Sequence, residues 1–111
     1  MGALMFSIIY ITAGNSEEAR RIGKKLIEER LAACVNIFPI TSIYRWKDDI
    51  EESDEFGMIV KTKTEKVKEI EKRVKQLHSY EVPCVLSFDV GEGSAEYLKW
   101  IGESVTNPVQ M

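Results

Sequence analysis

The sequence predicts a single α+β domain over residues 1–111, a βαββαβ sandwich that carries one further helix at its C-terminal end. Three observations lead there. Four segments rich in β-branched and aromatic residues alternate with segments whose apolar residues recur at helical spacing. The second and third β segments follow one another directly, with only a short polar break between them. At 111 residues, 44% hydrophobic and 30% charged, the chain is large enough for one core and too apolar to remain disordered.

Met5 to Ile11 is nearly continuously apolar and stops at Gly14, which suits a central strand. Asn15 followed by Glu18 is a variant capping box, and Ala19, Ile22, Leu26 and Ile27 then mark a first helix running to Leu31. Cys34 to Trp46 returns to β character. Pro39 interrupts it and cannot donate to a ladder, so a bulge or an edge position is expected there. Lys47-Asp48-Asp49 is the turn, and Ile50 to Lys63 the third strand, with Phe56, Met58 and Val60 on one face and Gly57, Ile59 and Lys61 on the other. Thr62 with Glu65 forms a capping box for a second helix, whose buried stripe is Val67, Ile70, Val74 and Leu77 and which gives way at His78-Ser79-Tyr80-Glu81 before Pro83. Cys84 to Val90 is the fourth strand. Gly91-Glu92-Gly93 breaks it, Ser94 caps a third helix with Tyr97, Leu98, Ile101 and Val105 inward, and Asn107-Pro108 closes that helix.

Right-handed crossovers turn this order into a split βαβ arrangement with both long helices on one face of a four-stranded antiparallel sheet, a ferredoxin-like sandwich. The fold names no activity by itself. Its β2-β3 hairpin is overlong: two strands of about a dozen residues reach roughly 40 Å, against five or six residues in an ordinary strand. Exposed edges of that length invite pairing, and a closed oligomer in which one subunit's hairpin extends a neighbour's sheet would cover them.

Composition excludes several classes of function. The net charge of −3 lacks the basic footprint of a nucleic-acid binder, and the basic runs Arg20 to Lys25 and Lys61 to Lys75 are interleaved with Glu17, Glu18, Glu65, Glu69 and Glu71, as on solvated helix faces. No apolar stretch approaches the roughly eighteen residues of a membrane span. The run Leu4 to Ile11 lacks the flanks of a signal peptide, so a cytoplasmic protein is expected. Cys34 and Cys84 lack metal-site spacing, and a reducing compartment disfavours a bridge between them; both are expected to behave as small buried hydrophobes. There is no nucleophile elbow, phosphate loop, metalloprotease helix or C-x-x-C motif, so no enzymatic reaction is expected.

Five segments taken in order, Ala32-Ala-Cys-Val-Asn36, Ser42-Ile-Tyr-Arg-Trp46, Ile59-Val-Lys-Thr62, His78-Ser-Tyr-Glu-Val-Pro83 and Tyr97-Leu-Lys-Trp-Ile101, resemble the CutA family over almost the whole chain. The resemblance implies a cytoplasmic homotrimer of ferredoxin-like fold, related to PII-type signalling proteins and associated with tolerance to copper and other divalent cations. The family's His-Pro-Tyr motif stands here as His78-Ser79-Tyr80, and Cys84 replaces the glutamate that often follows the second proline. The copper site proposed for some members also uses a cysteine where this chain has Ile11 and a second histidine where it has Leu77. His78 alone carries over.

The candidate residues follow. His78 is the only histidine, a candidate soft donor for weakly bound Cu²⁺ or another divalent cation, with Glu81 as an oxygen donor; a helix C-terminal histidine facing the last carbonyls is the structural alternative. No cofactor is required. Tyr44, Trp46, Glu55, Lys61, Tyr80 and Glu81 resemble the polar and aromatic set that lines the intersubunit cleft in the family, as a small-molecule pocket or as interface packing. A trimeric metal-responsive protein is thus the leading reading. Its rivals are a PII-like trimeric sensor of an anionic small molecule and a scaffold for partner proteins.

Overall fold

The structure is a computed structural model and describes residues 5–105. Its elements run β1 (Phe6–Ala13), α1 (Ser16–Glu28), β2 (Cys34–Trp46), β3 (Asp49–Lys63), α2 (Val67–Leu77), β4 (Val85–Asp89) and α3 (Ala95–Ser104), with a 3₁₀ turn at Thr64–Lys66 ahead of α2. The strands form one sheet in the order β2-β3-β1-β4, every neighbouring pair antiparallel. This is the predicted α+β arrangement. The closure of α3 at Asn107-Pro108 and the residue Leu4 lie outside the described residues.

Strict alternation along β1 decides the two faces of the sheet. Ser7, Ile9, Ile11 and Ala13 are buried beneath the helices, while Phe6, Ile8, Tyr10 and Thr12 face the other way. In β3, Met58 and Val60 share the helix-covered face, as their spacing predicted, and pack with Ile22 and Leu26 of α1 and Ile70 and Val74 of α2. Twelve fully or nearly buried residues form this core, enough apolar surface to make it the main source of stability. The opposite face is covered only in part: Ile101 of α3 and Val105 just after it are buried, whereas Tyr97, which meets Lys61 of the sheet, is still 41% exposed.

The hairpin keeps one unbroken register from Cys34↔Lys61 to Trp46↔Asp49. Pro39 therefore makes no bulge; β2 is an edge strand, the other of the two positions open to a proline. Lys47 and Asp48 alone form the turn, both at positive φ, 51° and 70°, as a type I′ turn requires. Gly57 sits opposite Phe38, whose ring approaches so closely that a Cβ on Gly57 would lie 2.7 Å from it.

Helix ends depart from the predicted bounds for local reasons. Asn15 caps α1, its Oδ1 accepting from the Glu18 N–H at 2.8 Å. The helix stops at Glu28 rather than Leu31, because Arg30 turns left-handed at φ 60° and the Arg30 and Leu31 N–H groups return to the carbonyls of Ile27 and Leu26, a Schellman closure. Thr62 is no cap: it lies in β3, buried, and its hydroxyl donates to the Leu31 carbonyl at 2.6 Å. The 3₁₀ turn leads into α2 without a side-chain cap. Ser94 caps α3 through the Tyr97 N–H at 3.3 Å, as predicted.

Candidate functional site

The densest polar cluster lies where the end of β1, the start of α1 and the segment after α2 meet. His78 follows the last residue of α2, and its side chain is completely buried. Its Nε2 lies 2.7 Å from the Thr12 carbonyl, which can only accept, so this nitrogen carries a proton. Its Nδ1 accepts from the Tyr80 N–H at 3.1 Å, so that nitrogen supplies a lone pair. The ring is the neutral Nε2–H tautomer, with both nitrogens engaged.

Beside it lies Glu18, 6% exposed, whose carboxylate accepts from the Ser79 N–H at 2.6 Å, the Ser79 hydroxyl at 3.0 Å and the Gly14 N–H at 3.4 Å. Burial works against the charged form of Glu18, but the two hydrogen bonds from Ser79, then the adjoining His78 ring and the Gly14 N–H, outweigh it and hold the carboxyl below its ordinary range. Glu18 thus binds Gly14 and the post-helix segment instead of reaching back to Asn15 as a standard capping box would.

Tyr80 extends the cluster to the open side. Its hydroxyl donates to Glu55 Oε2 at 2.6 Å, and burial, then the bond and charge of Glu55, push the phenol well above its ordinary value. Gly14 makes room for it: a Cβ there would lie 3.2 Å from the Tyr80 oxygen. Burial first, then Glu55, also raises the Cys84 thiol, which keeps it protonated rather than a thiolate nucleophile. Cys84 and Cys34 are both free and half-buried, not core residues; Cys34 faces the open side across from Lys61.

Within one chain, the expected pocket residues divide. Tyr80 and Glu55 are joined directly, and Tyr44 stands nearby, its hydroxyl 3.5 Å from the Ser53 hydroxyl. Lys61 lies six residues along β3 from Glu55, roughly 20 Å away at strand rise, and donates instead to the Tyr97 hydroxyl at 3.2 Å. Trp46 is at the hairpin end with Lys47 5.8 Å above its ring. Glu81 is exposed. Tyr97 and Ser79 were missed as participants; no local spacing signals either, because their partners lie tens of residues away.

Both ring nitrogens of His78, the candidate metal donor, are already engaged. A ligand nitrogen must offer its lone pair to the ion, and here the only lone pair is taken by a backbone N–H inside a fully buried side chain. Among the described residues no three His, Cys, Asp or Glu side chains are grouped to hold an ion. The structural alternative also changes: His78 binds a β1 carbonyl, not the last carbonyls of α2.

Comparison with known proteins gives one consistent result. Residues 7–104 match the family described as CutA1 divalent ion tolerance protein. The divalent-cation tolerance protein CutA of Archaeoglobus fulgidus is 52% identical over 91% of this chain and 99% of its own length, and that of Thermus thermophilus 46% identical over 90% and 98%. Among solved structures, one described as the periplasmic divalent cation tolerance protein CutA of A. fulgidus superposes with a TM-score of 0.90 at 51% identity, covering 92% of this chain and 100% of that one. CutA1 of Oryza sativa superposes equally well, TM-score 0.90, at 33% identity over 96% and 98%.

Proposed function

Because the chain belongs to the CutA1 divalent ion tolerance protein family, we propose that it serves the tolerance of divalent cations as a non-catalytic homotrimer. The observation that carries this reading is the family match over residues 7–104, joined to a sheet whose second face is left largely open. Leu86 and Phe88 on that face of β4 are 55% and 56% exposed, and Trp46, on the same face at the hairpin end, 59%. A patch of this kind marks an association surface. Neighbouring copies would cover it and the hairpin edges together.

Copper or another divalent cation would be held only weakly, by isolated exposed carboxylates such as that of Glu81, since His78 is closed to it and the described residues form no cluster of donors. A second reading, a PII-like sensor of a small molecule, is favoured by the Tyr80–Glu55 pair with Tyr44 beside it, which Lys61 of a neighbouring copy could complete. The compartment is read as the cytoplasm from the two free cysteines; the A. fulgidus relative is described as periplasmic, and cell fractionation separates the two. No helix among the described residues is long and apolar enough to cross a membrane.

Light scattering at micromolar concentration tests the assembly. A mass of three chains supports the reading, and a clean monomer overturns it.

A further inference from the structure

The buried His78 ring stands between two parts of the fold that make opposite demands on it. Its Nε2–H is fixed on the Thr12 carbonyl of β1. Its Nδ1 has two neighbours. The Tyr80 N–H, 3.1 Å away, requires the lone pair of a neutral ring, whereas the Glu18 carboxylate, 3.6 Å away, can only accept from a nitrogen that carries a proton. A neutral imidazole serves Tyr80 and leaves Glu18 beyond hydrogen-bond distance. An imidazolium reverses the choice.

Titratable groups stand near this ring on several elements. From α1 come Glu18 and Arg21, whose guanidinium lies 3.9 Å from the same Glu18 oxygen. From β3 comes Glu55, joined to the ring only by way of Tyr80, and Cys84, ahead of β4, lies near Glu55. Burial first, then Glu55, raises both the Tyr80 phenol and the Cys84 thiol, so these two stay protonated. Despite its burial, Glu18 is held below its ordinary range by the hydrogen bonds it accepts. It therefore remains a carboxylate across the interval, about pH 5 to 8, in which imidazole groups ordinarily change charge.

The segment that carries Tyr80 is able to respond. Among the described residues, no backbone-to-backbone hydrogen bond holds residues 79–82. Side chains hold them instead: Glu18 takes Ser79, His78 takes the Tyr80 N–H, and Glu55 takes the Tyr80 hydroxyl at 2.6 Å. A proton on Nδ1 would set two N–H donors 3.1 Å apart with no acceptor between them, and a carboxylate oxygen would stand beside the new charge. The Tyr80 backbone would have to withdraw. Its ring, centred 4.7 Å from the imidazole, would move with it.

We propose that His78 is a proton-operated latch: as a neutral ring it holds Tyr80 against Glu55, and as an imidazolium it turns to Glu18 and releases that contact. A proton taken up inside the chain is thereby read out at Tyr80 and Glu55, beyond the buried layer. The same two residues receive the signal whether they line a small-molecule pocket or a subunit contact.

His78 is the only histidine, so its ring signals in the assembled protein are assigned without ambiguity. The test is an NMR titration of the ¹⁵N-labelled protein from neutral to acid pH. At neutral pH the ring should show the Nε2–H tautomer. On acidification the ring nitrogens, the Tyr80 amide and the Tyr80 ring protons should move with one shared midpoint, while amides of buried Ile9 and Val60 keep their positions. Glu18→Gln removes the charge that receives the imidazolium, so the midpoint should fall by about one pH unit. In His78→Gln, whose side-chain oxygen can still accept from the Tyr80 N–H, the Tyr80 signals should no longer respond over that range. Separate midpoints for the ring and Tyr80, a ring that stays neutral until acid unfolding, a Tyr80 response that persists in His78→Gln, or a midpoint that Glu18→Gln leaves unchanged or raises would each overturn the proposal.

Discussion

The Glu18 carboxylate takes both hydrogen-bond donors of Ser79, the N–H at 2.6 Å and the hydroxyl at 3.0 Å, and so ties the first turn of α1 to the segment leaving α2 across 61 positions of sequence. Hydrogen bonds to a buried charge are stronger than neutral ones, and their loss leaves donors unmatched. Replacing Glu18 with Ala should lower stability by about 2 kcal/mol in urea unfolding. The pH dependence has a definite sign. The folded carboxyl is held below its ordinary value near 4.5, so the contribution is complete above that value and disappears as pH falls through the lower folded value. Glu18→Gln should therefore flatten the acid side of the stability curve; an unchanged acid limb would show that Glu18 is not the group responsible.

His78 is expected to act as a structural connector. His78→Gln should cost about 1–3 kcal/mol, because the Thr12 carbonyl and the Tyr80 N–H lose a buried partner. Copper affinity measured by calorimetry on the folded variant should match the parent. A clear loss of copper binding would return the imidazole to the role of ligand.

Close packing of Phe38 on Gly57 makes the hairpin sensitive to a single methyl group. A Cβ at 2.7 Å from the ring cannot be accommodated without moving a side chain or the backbone of a buried position. Gly57→Ala should destabilise the protein by about 1–3 kcal/mol, the usual cost of overpacking, despite the entropic advantage of alanine in a strand. Thermal melting checks it; a stability gain would contradict the close contact.

The hairpin turn is expected to respond in the opposite direction. Asp48 holds φ at 70° without glycine's freedom, a conformation that costs an L-residue about 1 kcal/mol. Asp48→Gly should raise stability by up to about that amount while leaving the Lys47–Trp46 contact in place. The measurement is the urea midpoint at constant slope.

Self-association should fail when the apolar face is charged. Trp46→Asp, at a position 59% exposed in the single chain, is expected to lower both the mass by light scattering and the melting temperature, because assembly and stability are linked. A variant that keeps the parent mass would place Trp46 outside the contact.

What the sequence determined by itself were the features that depend on periodicity along a few residues. The two-residue alternation around Met58 and Val60 assigned the faces of β3, Asn15 announced the start of α1, and Pro39 limited β2 to an edge or a bulge. Each is local, because backbone geometry repeats every two or 3.6 residues and a side chain's face follows from its place in that repeat. The family resemblance was legible for the same reason, as short ordered segments of Ser42 to Trp46 or His78 to Pro83 type. Tertiary structure alone decided the rest. Thr62 looked like a cap but serves Leu31 from inside a strand, and Lys61 and Tyr80, alike as pocket candidates, lie with different partners. His78 offers a metal-binding nitrogen in any list of residue types, yet Thr12 stands 66 positions away and takes its proton while Tyr80 takes its lone pair. A ring's chemistry is set by which donors and acceptors the packed chain brings against it, and no spacing along the sequence records that.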